Sequence, residues 1–427
     1  MHKFPIFRPM SLFPNRQALV QTLGPGIVFA STCIGVSHLV QSTRAGADYG
    51  FALLWAVLLA NLFKYPFFEF GSRYANVTGT SILDGYAKQS KWVIGGYAAL
   101  TLGTLFFVAA AVGAVTAGFL DNLFGVGNLP LITGVLLVGT VVVLALGKYG
   151  VLDSLIKLIG AVLLISTLVA FGLALGKGPV YDAPLLPAID WGDGISLGFL
   201  IALMGWMPTA VDMSAWNSLW TVERMAQTGF RPTLKQTLFD FNFGYLASTV
   251  LAVCFVVLGA FLLHGTPNPA PKPAAAFAGV VVKMYTEVMG PWSRVLIGAA
   301  AFSIMLGTCI AVFDGYARAM KRCGELLLPK QVPGAYILWL VLIGAGAYGV
   351  IHVFIFNRPD DPSGFRQLVD FATTMSFLVA PLVAFANYRL VVSERFPEEG
   401  RPPLWLRGLA IAGMVFLVGF CLVYFLA

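Results

Sequence analysis

The chain has 427 residues, of which 58% are hydrophobic and 11% are charged, and its mean hydropathy is +0.82. Soluble globular proteins normally carry about 25% charged residues, so this composition excludes them and predicts an integral membrane protein. The formal charge of +7 does not indicate a nucleic-acid partner, because the cations are concentrated in alternate loops.

Long apolar runs follow one another along the whole chain and predict an all-α membrane protein with about eleven transmembrane helices. Each run is close to or above the roughly 20 residues that a bilayer core requires. The predicted spans are 25–46, 51–71, 93–120, 130–147, 152–175, 195–219, 238–263, 292–319, 334–354, 366–390 and 405–427. We predict one transport domain over residues 1–427, since no loop is long enough for a second domain.

The positive charges predict the orientation. With the N-terminus in the cytoplasm, eighteen of the 27 Lys and Arg residues fall on the cytoplasmic side and seven on the outer side, as the positive-inside rule requires. We therefore expect a cytoplasmic N-terminus and an external C-terminus in a bacterial inner membrane. Residues 1–23 lack an apolar core that ends in a cleavage site, so they are predicted to be a cytoplasmic lead-in.

The cysteines and the loops do not indicate a further functional site. The five cysteines, Cys33, Cys254, Cys309, Cys323 and Cys421, form no CxxC pair, so a disulfide framework is not expected. Residues 176–192 and the Pro-rich residues 264–276 are predicted to be external loops.

Two apolar helices are interrupted in matching positions of the two halves. The first passes through residues 24–26 and breaks near residues 33–38, and the second begins near Ser196 and breaks at residues 205–209. Gly, Pro and small polar residues stand there where a spanning helix should be uniformly apolar. Unwound backbone in lipid is tolerated only where it lines a protein cavity, and paired breaks of this kind indicate the binding site of a transporter.

The halves are predicted to form a 5+5 inverted repeat, because five spans in each half give the halves opposite senses in the membrane. The first repeat covers residues 24–175, the second covers 193–390, and an extra C-terminal helix covers 402–427. The broken helices are the first and the sixth, which places them together at the shared axis.

Several motifs resemble the NRAMP (natural resistance-associated macrophage protein) family of divalent-metal transporters. The run at 24–26, the sequence RAGADYG at 44–50 and residues 53–61 look like the opening of that family. Met207-Pro208 and the basic loop into Asp240 look like its sixth and seventh helices. The resemblance covers most of the chain and implies a LeuT-type fold in the amino acid–polyamine–organocation superfamily.

The motifs that hold the metal in that family are altered. The first-helix motif Asp-Pro-Gly-Asn becomes Gly-Val-Ser-His at residues 35–38, so the Asp is missing and His38 stands at the Asn position. The sixth-helix motif Met-Pro-His becomes Met-Pro-Thr, which keeps the thioether of Met207 and loses the His. The family's third-helix acids align with Ala109 and Val112.

These differences leave two classes of cargo open. His38 and Met207, with the carbonyl near Met204, offer ligands to a soft or borderline metal ion. Alternatively, the N–H groups of Gly35 and Ser37 at a half-helix N-terminus offer a site to an anionic or other organic solute. The candidate substrate-binding residues are Gly35, Ser37, His38, Met204, Met207 and Thr209, with His38 and Met207 as the candidate metal ligands.

Each candidate also has a structural interpretation. His38 either binds metal or senses pH, or it is a polar cap of the broken helix. Met207 is either a ligand or apolar filler, and Cys33 is expected to be a packing residue. Gly35 and Thr209 are expected to line the cavity, because the breaks themselves require them.

Three charged residues are candidates for coupling or gating. Asp212 lies one turn past the second break, and an intramembrane acid is a functional candidate by default; alternatively it caps the second half-helix. Lys157, inside the fifth span, either replaces a coupling ion or forms a fixed ion pair. Asp240 begins the seventh span and is either a gating residue or an acid at a helix N-terminus. Asp370 begins the tenth span and has the same two interpretations.

Two other charged groups are expected to be local. Asp314 is predicted to pair with Arg318 at the i,i+4 spacing. Lys64, Glu69 and Arg73 form either a gate network at the inner face or a set of snorkelling side chains.

No nucleotide-binding, metalloprotease or nucleophile-elbow motif occurs in the chain, so we expect no enzyme, no cofactor and no ATP-driven step. The sequence predicts secondary-active transport of a metal ion or a small solute across the bilayer, with a proton as a possible coupling ion. A channel, an intramembrane enzyme and a transport-inactive sensor are the competing classes. The sequence leaves the oligomeric state open.

Overall fold

The computed structural model describes residues 16–147, 149–189, 194–267, 269–358 and 360–426, and for residues 16, 18, 149–161, 194 and 195 it describes the backbone alone. All regular secondary structure in these ranges is helical, which confirms the predicted all-α class. Most of the predicted lead-in and the side chain of Lys157 lie outside the described part, so their predicted roles stay predictions.

Sixteen α-helices are formed by the described residues. They are α1 Arg16–Thr22, α2 Pro25–Cys33, α3 Thr43–Tyr49, α4 Leu54–Thr78, α5 Ile82–Gln89, α6 Lys91–Phe124, α7 Leu129–Ala145, α8 Tyr149–Lys177, α9 Gly194–Gly205, α10 Met213–Thr228, α11 Leu234–Leu262, α12 Ala274–Met289, α13 Ser293–Leu327, α14 Ala335–Ile351, α15 Gly364–Val392 and α16 Leu404–Leu426. Turns of π-helix cover Ser37–Ser42 and His352–Phe356, and a 3₁₀ turn covers Glu398–Gly400.

Six helical segments in the described ranges are long and apolar enough to cross a membrane: α6, α11, α13, α14 with its π turn, α15 and α16. They support an integral membrane protein, while the count of eleven spans stays a prediction. Helix α4 has 25 residues, enough to cross a bilayer at 1.5 Å per residue. It is not among the six apolar helices, and it carries three charged side chains, Lys64, Glu69 and Arg73.

Three helices lie outside the predicted spans: α1 in the predicted lead-in, and α5 and α12 between spans. Helix α5 is amphipathic and begins with a capping box, in which Ser81 and Asp84 each bond the other's backbone N–H. Helix α12 follows the Pro-rich loop and packs against α6 and α13. The helices α4 and α6 also run several residues beyond their predicted spans, because their polar ends continue past the apolar run.

Helix α11 packs against α2, α3 and α4 and forms the centre of the helical core. Phe29 of α2 is fully buried, with its ring 5.2 Å from that of Phe68 on α4 and 5.5 Å from that of Phe241 on α11. Tyr245 stacks on the same ring at 5.9 Å. Aromatic clusters of this kind fix helices more firmly than buried area alone, and this one fixes α2 against its neighbours.

The two interrupted helices run in opposite directions. Phe199 of α9 stacks on Tyr49 at the end of α3, with ring centroids 5.4 Å apart. At the other end, Arg224 of α10 donates to the carbonyl of Leu23, just before α2, at 3.1 Å. The beginning of each interrupted helix therefore lies beside the end of the other. We call the two ends of the helix bundle the Gly24 face and the Tyr49 face.

Candidate functional site

The first interruption separates α2 from α3. Helix α2 ends at Cys33, residues 34 and 35 leave the α-helical path, and from Val36 the chain resumes its helical path into the π-helical turn Ser37–Ser42. Gly35 allows this segment to lie against α13, because a Cβ added to it would be 2.7 Å from the Cγ2 atom of Thr308. The break therefore lies within the residues where the sequence predicts it, and it is closely packed.

The second interruption separates α9 from α10. Helix α9 ends at Gly205 and α10 begins at Met213. A Cβ added to Gly205 would lie 2.0 Å from the carbonyl oxygen of Thr373 on α15, so only glycine allows this approach. The break leaves carbonyl groups at the end of α9 without their helical partners.

A small cavity lies between the two breaks. Its volume is about 20 Å³, which is roughly the space of one water molecule. Ser37 lines it from the first break and Thr209 from the second. The other lining residues come from both breaks and from α2, α6, α10 and α13: Thr32, Val36, Val108, Val112, Trp206, Ala210, Met213, Trp216, Thr308, Val312 and Tyr316. The wall is mainly apolar and aromatic, with hydroxyl groups at a few points.

His38 is fully buried, and each of its ring nitrogens has a hydrogen-bond partner. Nδ1 lies 2.8 Å from Oγ of Ser37, and Nε2 lies 2.8 Å from the carbonyl oxygen of Ser248 on α11. Because a carbonyl only accepts, Nε2 carries a proton. A metal ion would have to replace one of these bonds before His38 became a ligand.

The sulfur and hydroxyl candidates of the second break are also engaged. The sulfur of Met207 lies 3.9 Å from Oγ of Ser42, and Oγ1 of Thr209 donates to the sulfur of Met213 at 2.7 Å. The hydroxyl of Ser37 has a single proton and lies within hydrogen-bonding distance of two groups, the carbonyl of Cys33 at 2.5 Å and Nδ1 of His38 at 2.8 Å. The structure thus brings the predicted residues of both breaks into one region, and each polar side chain is bonded within it.

Lys64 is a residue of this region that the sequence analysis placed elsewhere. It is fully buried on α4, and its ammonium donates to the carbonyls of Met204 at 2.5 Å, Gly205 at 2.8 Å and Thr209 at 3.3 Å. Glu69 and Arg73 instead pair with each other at 2.5 Å. The signal available in the sequence was the charge itself, since an intramembrane lysine is a functional candidate by default.

The coupling candidates lie at different places. Asp212 is buried immediately before α10, next to the second break. Asp240 lies inside α11, in its second turn, and accepts hydrogen bonds from the N–H groups of Gly24 and Gly26. It is therefore an acid at a helix N-terminus, but that helix is α2 and not its own. The local pair of Asp314 and Arg318 is present at 2.8 Å.

Two ion pairs that were not expected from the sequence lie at the Tyr49 face. Arg44 of α3 forms two hydrogen bonds with Asp370 of α15, at 2.6 Å and 3.1 Å. Asp48 and Arg366 form a second pair between the same helices at 3.2 Å. Bidentate Arg–carboxylate pairs are among the strongest polar contacts, so these pairs join α3 to α15 at this face.

The described side chains include no cluster of three or more His, Cys, Asp or Glu residues that could hold a metal ion. The one imidazole at the breaks is hydrogen-bonded at both nitrogens, and the nearby carbonyls are bonded to Lys64. The imidazole and the carbonyls that the sequence offers as ligands therefore already have hydrogen-bond partners.

The helical architecture and the paired interruptions define an all-α integral membrane protein in which two interrupted helices lie side by side. Residues 26–427 match the family of natural resistance-associated macrophage protein-like (Nramp) proteins, and the chain belongs to that family. This confirms the resemblance seen in the sequence.

Individual relatives agree with this assignment. The chain is 34% identical to an uncharacterized protein of Pasteurella multocida over 406 residues, covering 94% of this chain and 91% of that protein. It is 24% identical to the divalent metal cation transporter MntH of Listeria monocytogenes over 426 residues, covering 92% of this chain and 87% of that protein.

Solved structures show the same fold. The manganese transporter of Eremococcus coleocola, in complex with an aromatic bis-isothiourea compound, matches with a TM-score of 0.73 and 14% identity, over 96% of this chain and 86% of that one. MhsT in complex with L-phenylalanine matches with a TM-score of 0.63 and 13% identity, over 97% of this chain and 98% of that one. At these identities the likeness concerns the fold alone.

Proposed function

We propose that this chain is a secondary-active transporter that binds its cargo between the two helix breaks and exposes it alternately to the two faces. The observation that carries the proposal is the cavity lined jointly by Ser37 and Thr209, one from each break. Unwound backbone beside such a cavity supplies unpaired N–H and C=O groups to a solute at membrane depth.

The opposite directions of the two interrupted helices support a 5+5 inverted repeat. In that arrangement residues 24–175 and 193–390 form the two repeats, and residues 402–427 form an extra helix. The breaks then lie at the pseudo-symmetry axis, where one repeat rocks against the other around a fixed site.

A vestibule on the Gly24 face supports alternating access. It has a volume of about 490 Å³ and is lined by Val28, Trp220 and Ala311, among others. The small cavity between the breaks is lined by Thr32, Trp216 and Thr308, among others. These residues lie three or four positions away on the same three helices, about one turn or 5 Å.

The Gly24 side thus leads toward the breaks, while charged pairs such as Arg44 with Asp370 hold the Tyr49 side shut. We assign the Gly24 face to the cytoplasm from the charge count, which makes this an inward-facing conformation with an occluded site.

We propose a metal ion as the cargo. The assignment rests on family membership and on relatives described as divalent metal cation transporters. His38 and Met207 are the proposed ligands, in place of the family's Asp-Pro-Gly-Asn and Met-Pro-His side chains. A softer donor pair of this kind favours borderline or soft ions over hard ones.

A small organic or non-metal solute is the second candidate, and two contacts favour it. Both nitrogens of His38 are hydrogen-bonded, and the ammonium of Lys64 occupies the Met204 carbonyl. A divalent cation at that carbonyl would meet a positive charge at close range, which is costly where water is excluded.

Uptake of Mn²⁺ and Cd²⁺ into proteoliposomes holding the purified protein tests the cargo, with a conventional Nramp transporter as positive control. The variants His38→Ala and Met207→Ala are compared with His352→Ala, whose histidine is exposed on the π turn after α14.

Saturable flux that falls in the first two variants and not in the third supports metal transport. Absence of flux beside a working control rejects the metal and directs the search to organic solutes.

A further inference from the structure

The end of α9 has the chemistry of a cation-binding site. The last carbonyls of a helix lack helical partners and carry the negative end of its dipole. Here the helix stops inside the protein, so the carbonyls of Met204 and Gly205 do not reach solvent, and the carbonyl of Thr209 in the break points to the same atom. Half-helix C-termini and unwound carbonyls of this kind coordinate Na⁺ in membrane transporters.

Lys64 supplies the cation from within the chain. Its three ammonium protons match three carbonyl acceptors at 2.5, 2.8 and 3.3 Å, and the ring centroid of Phe377 lies 5.9 Å from the nitrogen. The side chain is fully buried. A buried ammonium is costly unless it is hydrogen-bonded, and this one is bonded on all three protons.

We propose that the ammonium of Lys64 takes the position of a free monovalent cation at the end of α9. The protein then needs no Na⁺ or K⁺ at this point, because the charge is tethered. Removal of the ammonium leaves three converging carbonyls without their cation and converts the position into a site for Na⁺. The tethered charge also excludes a second cation from the Met204 carbonyl as long as it stays there.

The test is the thermal stability of the purified protein in detergent, in NaCl and in choline chloride at equal ionic strength. The variant Lys64→Met keeps the length and apolar stem of the side chain and removes the charge. Lys177→Met is the matched control, since Lys177 also donates to a carbonyl, that of Glu287 at 3.1 Å, but at the exposed end of α8. A folding readout is independent of the transported cargo, so failure of metal uptake leaves this test intact.

We expect the wild type and Lys177→Met to unfold at the same temperature in both salts. Lys64→Met should be less stable in choline and should regain stability in a saturable way as Na⁺ replaces choline. If Lys64→Met folds and shows no Na⁺ dependence, the proposal is wrong. Strong Na⁺ dependence of the wild type would also overturn it, because the position would then not be filled by Lys64.

Lys64→Gln is the second variant, because an amide can keep one or two of the bonds without the charge. If Lys64→Met folds only when Na⁺ is present, that supports the proposal as directly as a shift in unfolding temperature. If neither variant folds in either salt, a free cation does not replace the ammonium, and the proposal fails.

Discussion

The carboxylate of Asp240 accepts a 2.6 Å hydrogen bond from the backbone N–H of Gly26. The two residues are 214 positions apart, and the contact joins the interior of α11 to the first turn of α2. A second bond, from Gly24 to the same carboxylate at 3.2 Å, makes Asp240 the anionic cap of the half-helix that leads to the first break. The cap combines hydrogen bonds with a favourable helix dipole.

We predict that Asp240→Asn destabilises the protein by about 1.5 kcal/mol, the lower end for a hydrogen bond to a charged group. The amide keeps an acceptor and loses the charge. Thermal unfolding in detergent measures the effect. Asp121→Asn is the matched control, since Asp121 accepts from the N–H of Gly127 at 2.8 Å on the exposed surface, and its loss should be much smaller. If Asp240→Asn leaves the stability unchanged and the flux no longer depends on the proton gradient, Asp240 is instead a coupling residue.

We predict that breaking the pair of Arg44 and Asp370 opens the Tyr49 face. The labelling site is Thr373→Cys in a variant without native cysteines. Thr373 lies close to the pair, because the amide of Gln41 donates hydrogen bonds to both Asp370 and Thr373. A membrane-impermeant maleimide should label the introduced cysteine faster when Asp370→Ala is added.

Glu398→Ala is the control for this labelling experiment, because it removes an exposed ion pair with Arg401 and should leave the rate unchanged. Equal labelling with and without Asp370→Ala would show that the pair does not close this face.

We predict that Gly35→Ala abolishes transport and that Thr308→Ala restores part of it. The added methyl group would lie 2.7 Å and 2.8 Å from the Cγ2 and Oγ1 atoms of Thr308, so the break has to move away from α13. Removing both atoms relieves most of the overlap and leaves the Cβ atom of residue 308 at 3.2 Å, so the rescue should be partial.

Gly205→Ala offers the contrast, because its methyl group meets a backbone oxygen of Thr373 at 2.0 Å and no side-chain deletion relieves it. Substrate flux in proteoliposomes is the measurement. Loss of flux that Thr308→Ala fails to improve would mean that Gly35 is needed for a reason other than this packing.

We predict that His38→Ala and Met207→Ala each weaken Cd²⁺ binding by roughly tenfold or more, about 1.4 kcal/mol, if the cargo is a metal ion. Isothermal titration with Cd²⁺ measures the affinity. His38→Ala also removes the bond to the Ser248 carbonyl, so His38→Gln, which keeps a donor, separates ligation from structure. Equal Cd²⁺ affinity in wild type and in both alanine variants would rule out this metal site. If the cargo is organic, Met207→Ala should weaken binding of that cargo only mildly.

The helix breaks and the i,i+4 ion pair were predicted correctly because they depend on residues that are close together in the sequence. Gly35, Gly205 and Pro208 change the backbone at their own positions, through a missing side chain or a missing N–H, so both breaks could be located from the sequence. The pair of Asp314 and Arg318 was predictable for the same reason, because one helical turn separates the residues.

Partners that are remote in the chain could not be predicted. Arg44 and Asp370 are 326 positions apart, and each sequence neighbourhood is equally consistent with a solvated charge. Lys64 was grouped with Glu69 and Arg73 because they lie close in sequence on one helix, yet its ammonium is bonded to the end of α9. Which backbone a side chain reaches depends on how the helices pack.

The sequence by itself determined the all-α membrane class, the family resemblance and the two breaks, because hydropathy and backbone chemistry act within a few residues. Only the tertiary structure decided what lies at the breaks. It gave both nitrogens of His38 partners, placed Asp240 at the N-terminus of α2 and brought a buried lysine to the end of α9. These outcomes depend on which helices come within about 3 Å hydrogen-bonding distance of each other, which is a property of the packed fold.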